Sequence, residues 1–206
     1  MGVSFQNKVR DARLRYSTGM MTDSEQWLLC DGWLTCARRV PSPNVNARPP
    51  GALVDLIVIH NISLPPGCFG GDHVTELFCN TLDSNAHPYF AEIAELRVSA
   101  HFFIDRQGAI SQFAATQDRA WHAGVSSWRG RDNCNDFSIG IELEGTDDSP
   151  YSAQQYRQLA QLIQCLRREY PRIATNAIVG HSDIAPGRKT DPGPAFDWQR
   201  LQRALS

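Results

Sequence analysis

Apolar and polar positions repeat at two different periods along this chain, and the change of period separates strands from helices. Leu53 to His60 is a short run rich in apolar and β-branched residues, bounded by Gly51 and by the turn Pro65-Pro66-Gly67, which predicts a buried strand. Leu56, Val58 and His60 share one face of it. Val98 to Ile104 predicts a second strand, and Asp105-Arg106-Gln107-Gly108 is turn chemistry leading to a hairpin partner at Ala109 to Phe113. Ser138 to Glu144 alternates strictly, so Ile139, Ile141 and Leu143 point one way while Gly140, Glu142 and Glu144 point the other. One side of that strand is core, and the other carries chemistry or water.

The period then lengthens. Ser152 and Gln155 form a capping box, after which Tyr156, Leu159, Ile163, Leu166 and Tyr170 recur at helical spacing up to Pro171. Ala177 to His181 predicts a brief last strand, and Asp197 is placed to cap a closing helix carrying Trp198, Leu201 and Leu205. Earlier, Pro41-Ser42-Pro43-Asn44 and Arg48-Pro49-Pro50-Gly51 favour an extended strip wrapped across the surface. Strands alternating with helices, plus one hairpin, give the α/β class: a central mixed β-sheet flanked by helices.

Composition narrows the picture. At 206 residues and 42% apolar, the chain can bury the core of one domain. Its 20 basic and 22 acidic residues are mixed along the sequence, so a net charge of -2 offers no field for nucleic acid or an anionic membrane. A partner is therefore selected by a pocket. The six cysteines, Cys30, Cys36, Cys68, Cys79, Cys134 and Cys165, are scattered without a C-x-x-C pair, which fits a reduced cytoplasmic protein. The first ten residues lack the apolar run of an export signal, and no later stretch approaches a membrane span. Residues 1–26 are polar and weakly periodic, predicting an N-terminal extension of low structural weight ahead of a domain at 27–206. A monomer is the expected state.

Two histidines and a carboxylate at strand ends make a candidate metal site: His60, His181 and Asp191 supply the three protein ligands that a catalytic zinc uses beside water. Pro186, Pro192 and Pro194, with Gly187 and Gly193 between them, stiffen the segment after His181 and lower the entropy cost of returning Asp191 to the strand end. Rival ligands exist. Asp183 is two residues from His181, and His101, His122, His73 and His87 are further imidazoles. The bland alternative makes His60 and His181 ordinary strand-end residues and Asp191 a turn cap. A hydrolase using Cys134 or Ser182 with His181 would lack any nucleophile-elbow pattern. Periodicity likewise leaves Glu142 and Glu144 as equal candidates for an acid–base role.

The strings Val58-Ile59-His60-Asn61-Ile62-Ser63-Leu64-Pro65-Pro66-Gly67, Asn85-Ala86-His87-Pro88-Tyr89-Phe90, Trp121-His122-Ala123-Gly124-Val125-Ser126, Asn135-Asp136-Phe137-Ser138-Ile139-Gly140-Ile141-Glu142-Leu143-Glu144-Gly145 and Lys189-Thr190-Asp191-Pro192-Gly193-Pro194 resemble the cytosolic N-acetylmuramoyl-L-alanine amidases that act on 1,6-anhydro-muropeptides, the AmpD group. The resemblance extends from about Gly32 to Trp198, and more distantly it reaches the peptidoglycan-recognition and phage-lysozyme type amidases. It implies one zinc ion (Zn2+) on His60, His181 and Asp191, Glu142 handling the attacking water, and Lys189 stabilising the transition state, within an amidase domain at 27–206. It also implies a muropeptide substrate, a part in cell-wall recycling and an influence on β-lactamase induction. Asn61, Tyr89, Trp121 and His122 are candidate walls for sugar and peptide. Arg97 is the candidate partner for a peptide carboxylate, and this chain has Asn133 where some relatives carry a basic residue. The competing class is a non-catalytic peptidoglycan-binding module, which would normally lack a ligand; here all of them are present.

Overall fold

The computed structural model describes residues 27–206, so the expected extension at 1–26 lies outside the described residues. Six strands form the main sheet: β1 (Arg38–Arg39), β2 (Leu56–Ile62), β3 (Phe102–Ile104), β4 (Ile110–Gln112), β5 (Ser138–Glu144) and β6 (Ile178–Gly180). Their order is β6-β2-β5-β3-β4-β1. β6, β2, β5 and β3 run parallel, β3 and β4 form the expected antiparallel hairpin, and β1 lies parallel to β4 at the edge. Among the described residues five helices accompany the sheet: α1 (His73–Phe78), α2 (Pro88–Ile93), α3 (Ala153–Glu169), α4 (His181–Ile184) and α5 (Trp198–Leu205).

The two-residue alternation of the central strands sorts their side chains into two layers. Ile57 and Ile59 of β2 and Ile139, Ile141 and Leu143 of β5 pack in one cluster with Tyr156, Leu159, Ile163 and Leu166 of α3 and Leu201 of α5. Leu56 and Val58 point the other way, against Phe137, Cys134, Ala123 and Ile184. A third cluster seats Leu77 and Phe78 of α1 and Phe90 and Ile93 of α2 on Phe103 and Phe113. Both predicted caps are present. Ser152 and Gln155 close a reciprocal box at the start of α3, and the Asp197 side chain accepts the Arg200 N–H at the start of α5.

Three expectations change. β2 begins at Leu56 rather than Leu53, because ladder pairing with β5 starts where Ser138 faces Leu56, and Leu53 is half exposed. β5 is buried on both faces, since it lies between two parallel neighbours and loops cover the side bearing Glu142 and Glu144. The proline-rich strip is built into the fold: Arg38–Arg39 joins the sheet edge, Val45–Ala47 pairs with Asp118–Ala120, and Ser42 and Asn44 are buried. The Asn44 amide donates to the carbonyls of Phe78 and Val98, which explains why a polar residue is tolerated there. Among the described residues no helix is long and apolar enough to cross a membrane.

Leu159 is fully buried between α3 and the sheet, remote from the polar end of β2. Leu159→Ala is expected to lower unfolding stability by about 2–5 kcal/mol, read from the denaturant midpoint; a loss well under 1 kcal/mol would contradict this account of the core.

Candidate metal centre and active site

Strand register brings the chemistry together. His60 and Glu142 are paired across β2 and β5, and in a parallel ladder paired residues point to the same face. Gly180 of β6 faces Ile59, so the next residue, His181, falls beside His60 as the chain turns into α4. The expected strand thus stops one residue short of His181. Asp191 then returns to the same point, its carbonyl accepting the Ser182 N–H. The group stands at the carboxyl ends of parallel strands, where open α/β sheets hold their ligands.

His60 Nδ1 lies 2.9 Å from His181 Nδ1 and 3.1 Å from Asp191 Oδ2, and His181 Nδ1 lies 3.0 Å from the same oxygen. His60, His181 and Asp191 form a group able to hold a metal ion. A tetrahedral ion with bonds of about 2.1 Å keeps its ligands about 3.4 Å apart, so donors at 2.9–3.1 Å need only spread slightly to accept one. His181 Nε2 is 3.0 Å from the Ala123 carbonyl, which can only accept, so the ring proton sits there and Nδ1 presents a lone pair.

The rivals are engaged elsewhere. The Asp183 carboxylate accepts the Gly180 N–H. His101 accepts the Gly140 N–H at Nδ1 and faces the Asp118 carbonyl with Nε2. His73 pairs with Glu76, and His87 caps α2 by accepting the Tyr89 N–H.

Electrostatics separate the two glutamates. Glu144 accepts N–H groups from Gly70 and Arg106, one on each oxygen, and so ties two loops to β5. Glu142 is almost as buried, yet its Oε2 has no partner. Desolvation, reinforced by the Asp191 charge and opposed by Lys189, raises the Glu142 carboxyl well above its ordinary value. Burial lowers the His60 imidazole to about 4, although the Asp191 carboxylate lies beside it. Burial would raise Asp191, but the close approach of His181 and His60 to its carboxylate holds it well below the usual carboxylate range. The Lys189 charge acts on both Glu142 and His60.

A cavity of about 670 Å³ opens onto this group. His60, Glu142, His181, Lys189 and Asp191 line it together with Asn61, Tyr89 and His122. Arg97 and Trp121 do not line it. Arg97 is exposed and bonds the Ala94 carbonyl and Glu95, while Trp121 donates its ring N–H to Asn46. Asn133 adopts a left-handed backbone, which asparagine tolerates, on a separate cleft with Ser126 and Pro186. Asp147 and Arg188 are among the lining residues that no sequence signal singled out. Asp147 accepts from the Asn61 amide, and Arg188 donates to the carbonyls of Ala123 and Val125. Arg188 adjoins Lys189 in the motif, but nothing in the local pattern shows that it reaches a loop 63 residues away.

Residues 49–194 match the family model described as N-acetylmuramoyl-L-alanine amidase. The chain belongs to that family, as its fold and donor set lead one to expect. Among its relatives is the 1,6-anhydro-N-acetylmuramyl-L-alanine amidase AmpD of Citrobacter freundii, 60% identical over 178 residues that cover 86% of this chain and 94% of that one. A crystal structure of a selenomethionine AmpD derivative is similar with a TM-score of 0.85 at 57% identity, covering 87% of this chain and 99% of the other. The amidase AmiD of Escherichia coli, solved with the substrate anhydro-N-acetylmuramic acid-L-Ala-D-γ-Glu-L-Lys, gives a TM-score of 0.54 at 31% identity, covering 76% of this chain and 60% of its own. These likenesses bear out the expected family and mixed α/β fold.

The buried imidazoles make metal-free stability depend on pH. Besides His60, desolvation lowers His101 to about 3 and His122 well below its ordinary value. Each would bind a proton when unfolded below its ordinary value of 6.5 but stays neutral when folded, so the stability it contributes above 6.5 is lost as pH falls towards 4. The raised Glu142 acts in the opposite sense, one carboxyl against three imidazoles. Thermal unfolding of the metal-free protein is therefore expected to show a melting temperature that falls steadily from about pH 6.5 to about pH 4; a flat profile across that window would contradict it.

Proposed function

We infer that this chain is a zinc-dependent amidase that hydrolyses the bond between the lactyl group of N-acetylmuramic acid and L-alanine in 1,6-anhydro-muropeptides, as part of cell-wall recycling. The observation that carries this reading is the meeting, in one cavity, of three metal-ligating atoms within 3.1 Å of one another and a buried carboxylate with an unpartnered oxygen. His60, His181 and Asp191 would hold the ion. Two neutral imidazoles and one carboxylate suit zinc and leave it a net positive charge, and when bound it supplies Lewis acidity towards the carbonyl and brings the pKa of water towards about 7.

The remaining chemistry belongs to this chain's own side chains. Glu142, whose Oε2 has no fixed donor, takes a proton from the attacking water and returns it to the leaving amine. Its raised affinity for protons matches the second half of that task. Lys189, exposed on the cavity wall, faces the oxygen on which negative charge develops as the carbonyl becomes tetrahedral. Asn61 and Tyr89 offer a polar and an aromatic surface for sugar and peptide. The substrate class follows the relatives whose names and complexes specify anhydro-muramyl peptides. Six unpaired cysteines suit the reducing cytoplasm, the proposed location, and a monomer is the proposed state.

Glu142→Gln is expected to keep its zinc and lose about 10²–10⁴-fold in turnover, followed by mass spectrometry of the L-alanyl peptide released from an anhydro-muropeptide. Lys189→Ala should lose about 10²–10³-fold. Near-normal turnover in Glu142→Gln would remove the acid–base role. An anhydro-muropeptide returned intact by the zinc-loaded wild type would favour the binding-module reading instead.

A further inference from the structure

His122 lines the cavity, yet neither ring nitrogen is free for a substrate. We propose that His122 is a positioning residue that sets the tautomer and ring angle of His60, through a one-way chain of hydrogen bonds anchored on the Cys134 carbonyl. The proposal deepens the metal-site reading above and rests on it.

The direction of the chain follows from its anchor. Ser138 Oγ is 2.6 Å from the Cys134 carbonyl oxygen, which can only accept, so the single hydroxyl hydrogen points there. His122 Nε2, 3.1 Å from the same Oγ, must then be the donor. A neutral imidazole carries one N–H, which leaves His122 Nδ1 as an acceptor. His60 Nε2 lies 2.9 Å from it and donates. His60 Nδ1 is thereby left bare, facing His181 Nδ1 and Asp191 Oδ2. His181 Nδ1 is bare for the parallel reason, its Nε2 proton being directed to the Ala123 carbonyl.

One loop therefore orients both histidines, His122 through its side chain and Ala123 through its backbone. Two further contacts hold that loop. Asn135 Oδ1 accepts the N–H groups of both His122 and Ala123, at 3.1 and 2.8 Å, and Arg188 donates to the Ala123 carbonyl. Gly140 supplies the room. Its backbone φ is not positive, but a Cβ there would stand 2.4 Å from His122 Cγ, so glycine is required for space rather than for turning. The consequence is a site with no proton lodged between its three donor atoms. A metal ion entering it need not displace one, and the rings need not rotate.

The test uses the 206-residue chain, both metal-free and zinc-loaded, at about pH 8, well above the ordinary imidazole value. Long-range ¹H–¹⁵N NMR identifies the protonated nitrogen of each ring, and competition with a chromophoric chelator gives the Zn²⁺ affinity. His60, His122 and His181 are expected to carry their hydrogens on Nε2 in the metal-free wild type. Ser138→Ala should release His122, give His60 a mixture of tautomers and weaken zinc binding by roughly 10–100-fold, with the unfolding transition retained. Gly140→Ala, which displaces the His122 ring and leaves Ser138 in place, should weaken zinc binding similarly. A hydrogen found on His60 Nδ1 in the metal-free wild type, or wild-type tautomers and zinc affinity in Ser138→Ala, would overturn the proposal. Failure of the wild type to bind one equivalent of zinc would instead defeat the metal reading, because the tautomers are read without metal.

Discussion

Three electron-pair donors are held within 3.1 Å of one another at the carboxyl end of a parallel sheet, and most of the structure around them resists their mutual repulsion. Left alone, an ionised carboxylate and two imidazole lone pairs would move apart or gather protons. Here both rings are buried to within a few per cent, and their outer nitrogens are engaged. A cation placed among the three would relieve the repulsion once the donors spread slightly. The register of β2 against β5 and β6 is the backbone's part in this arrangement, since a one-residue slip would turn His60 into the apolar layer against α3.

The same logic explains why two glutamates on one strand face have different fates. Glu144 meets two backbone donors and becomes a fastener for the loops at Gly70 and Arg106. Glu142 meets no donor on one of its oxygens and lies close enough to Asp191 and Lys189 to feel both charges. A buried carboxylate oxygen without a fixed partner is unfavourable for stability. Its retention beside the donor triad is understandable where a proton must be taken and returned.

Much of this was legible in the residues alone. The alternation of β5, the hairpin of β3 and β4, the Ser152 box and the Asp197 cap all follow from interactions a few residues apart, and all are present. The triad was legible as a candidate because each member sits beside a strand end or a stiff proline loop, whereas the other bonds of Asp183, His101 and His87 follow from the fold and not from the local pattern. What stayed hidden depends on contacts between distant segments. No local period reveals that β5 has loops over its polar face, or that the proline-rich strip enters the fold. Nor does it reveal that Trp121 and Arg97 turn away from the cavity while Arg188 and Asp147 turn towards it.

The account is tested most directly by an anomalous difference map, recorded on either side of the zinc absorption edge, from crystals of the 206-residue chain supplied with one equivalent of zinc. A single strong peak bonded to His60 Nδ1, His181 Nδ1 and Asp191 Oδ2 is the predicted result. No peak at that position, or a peak held by other side chains, would contradict it.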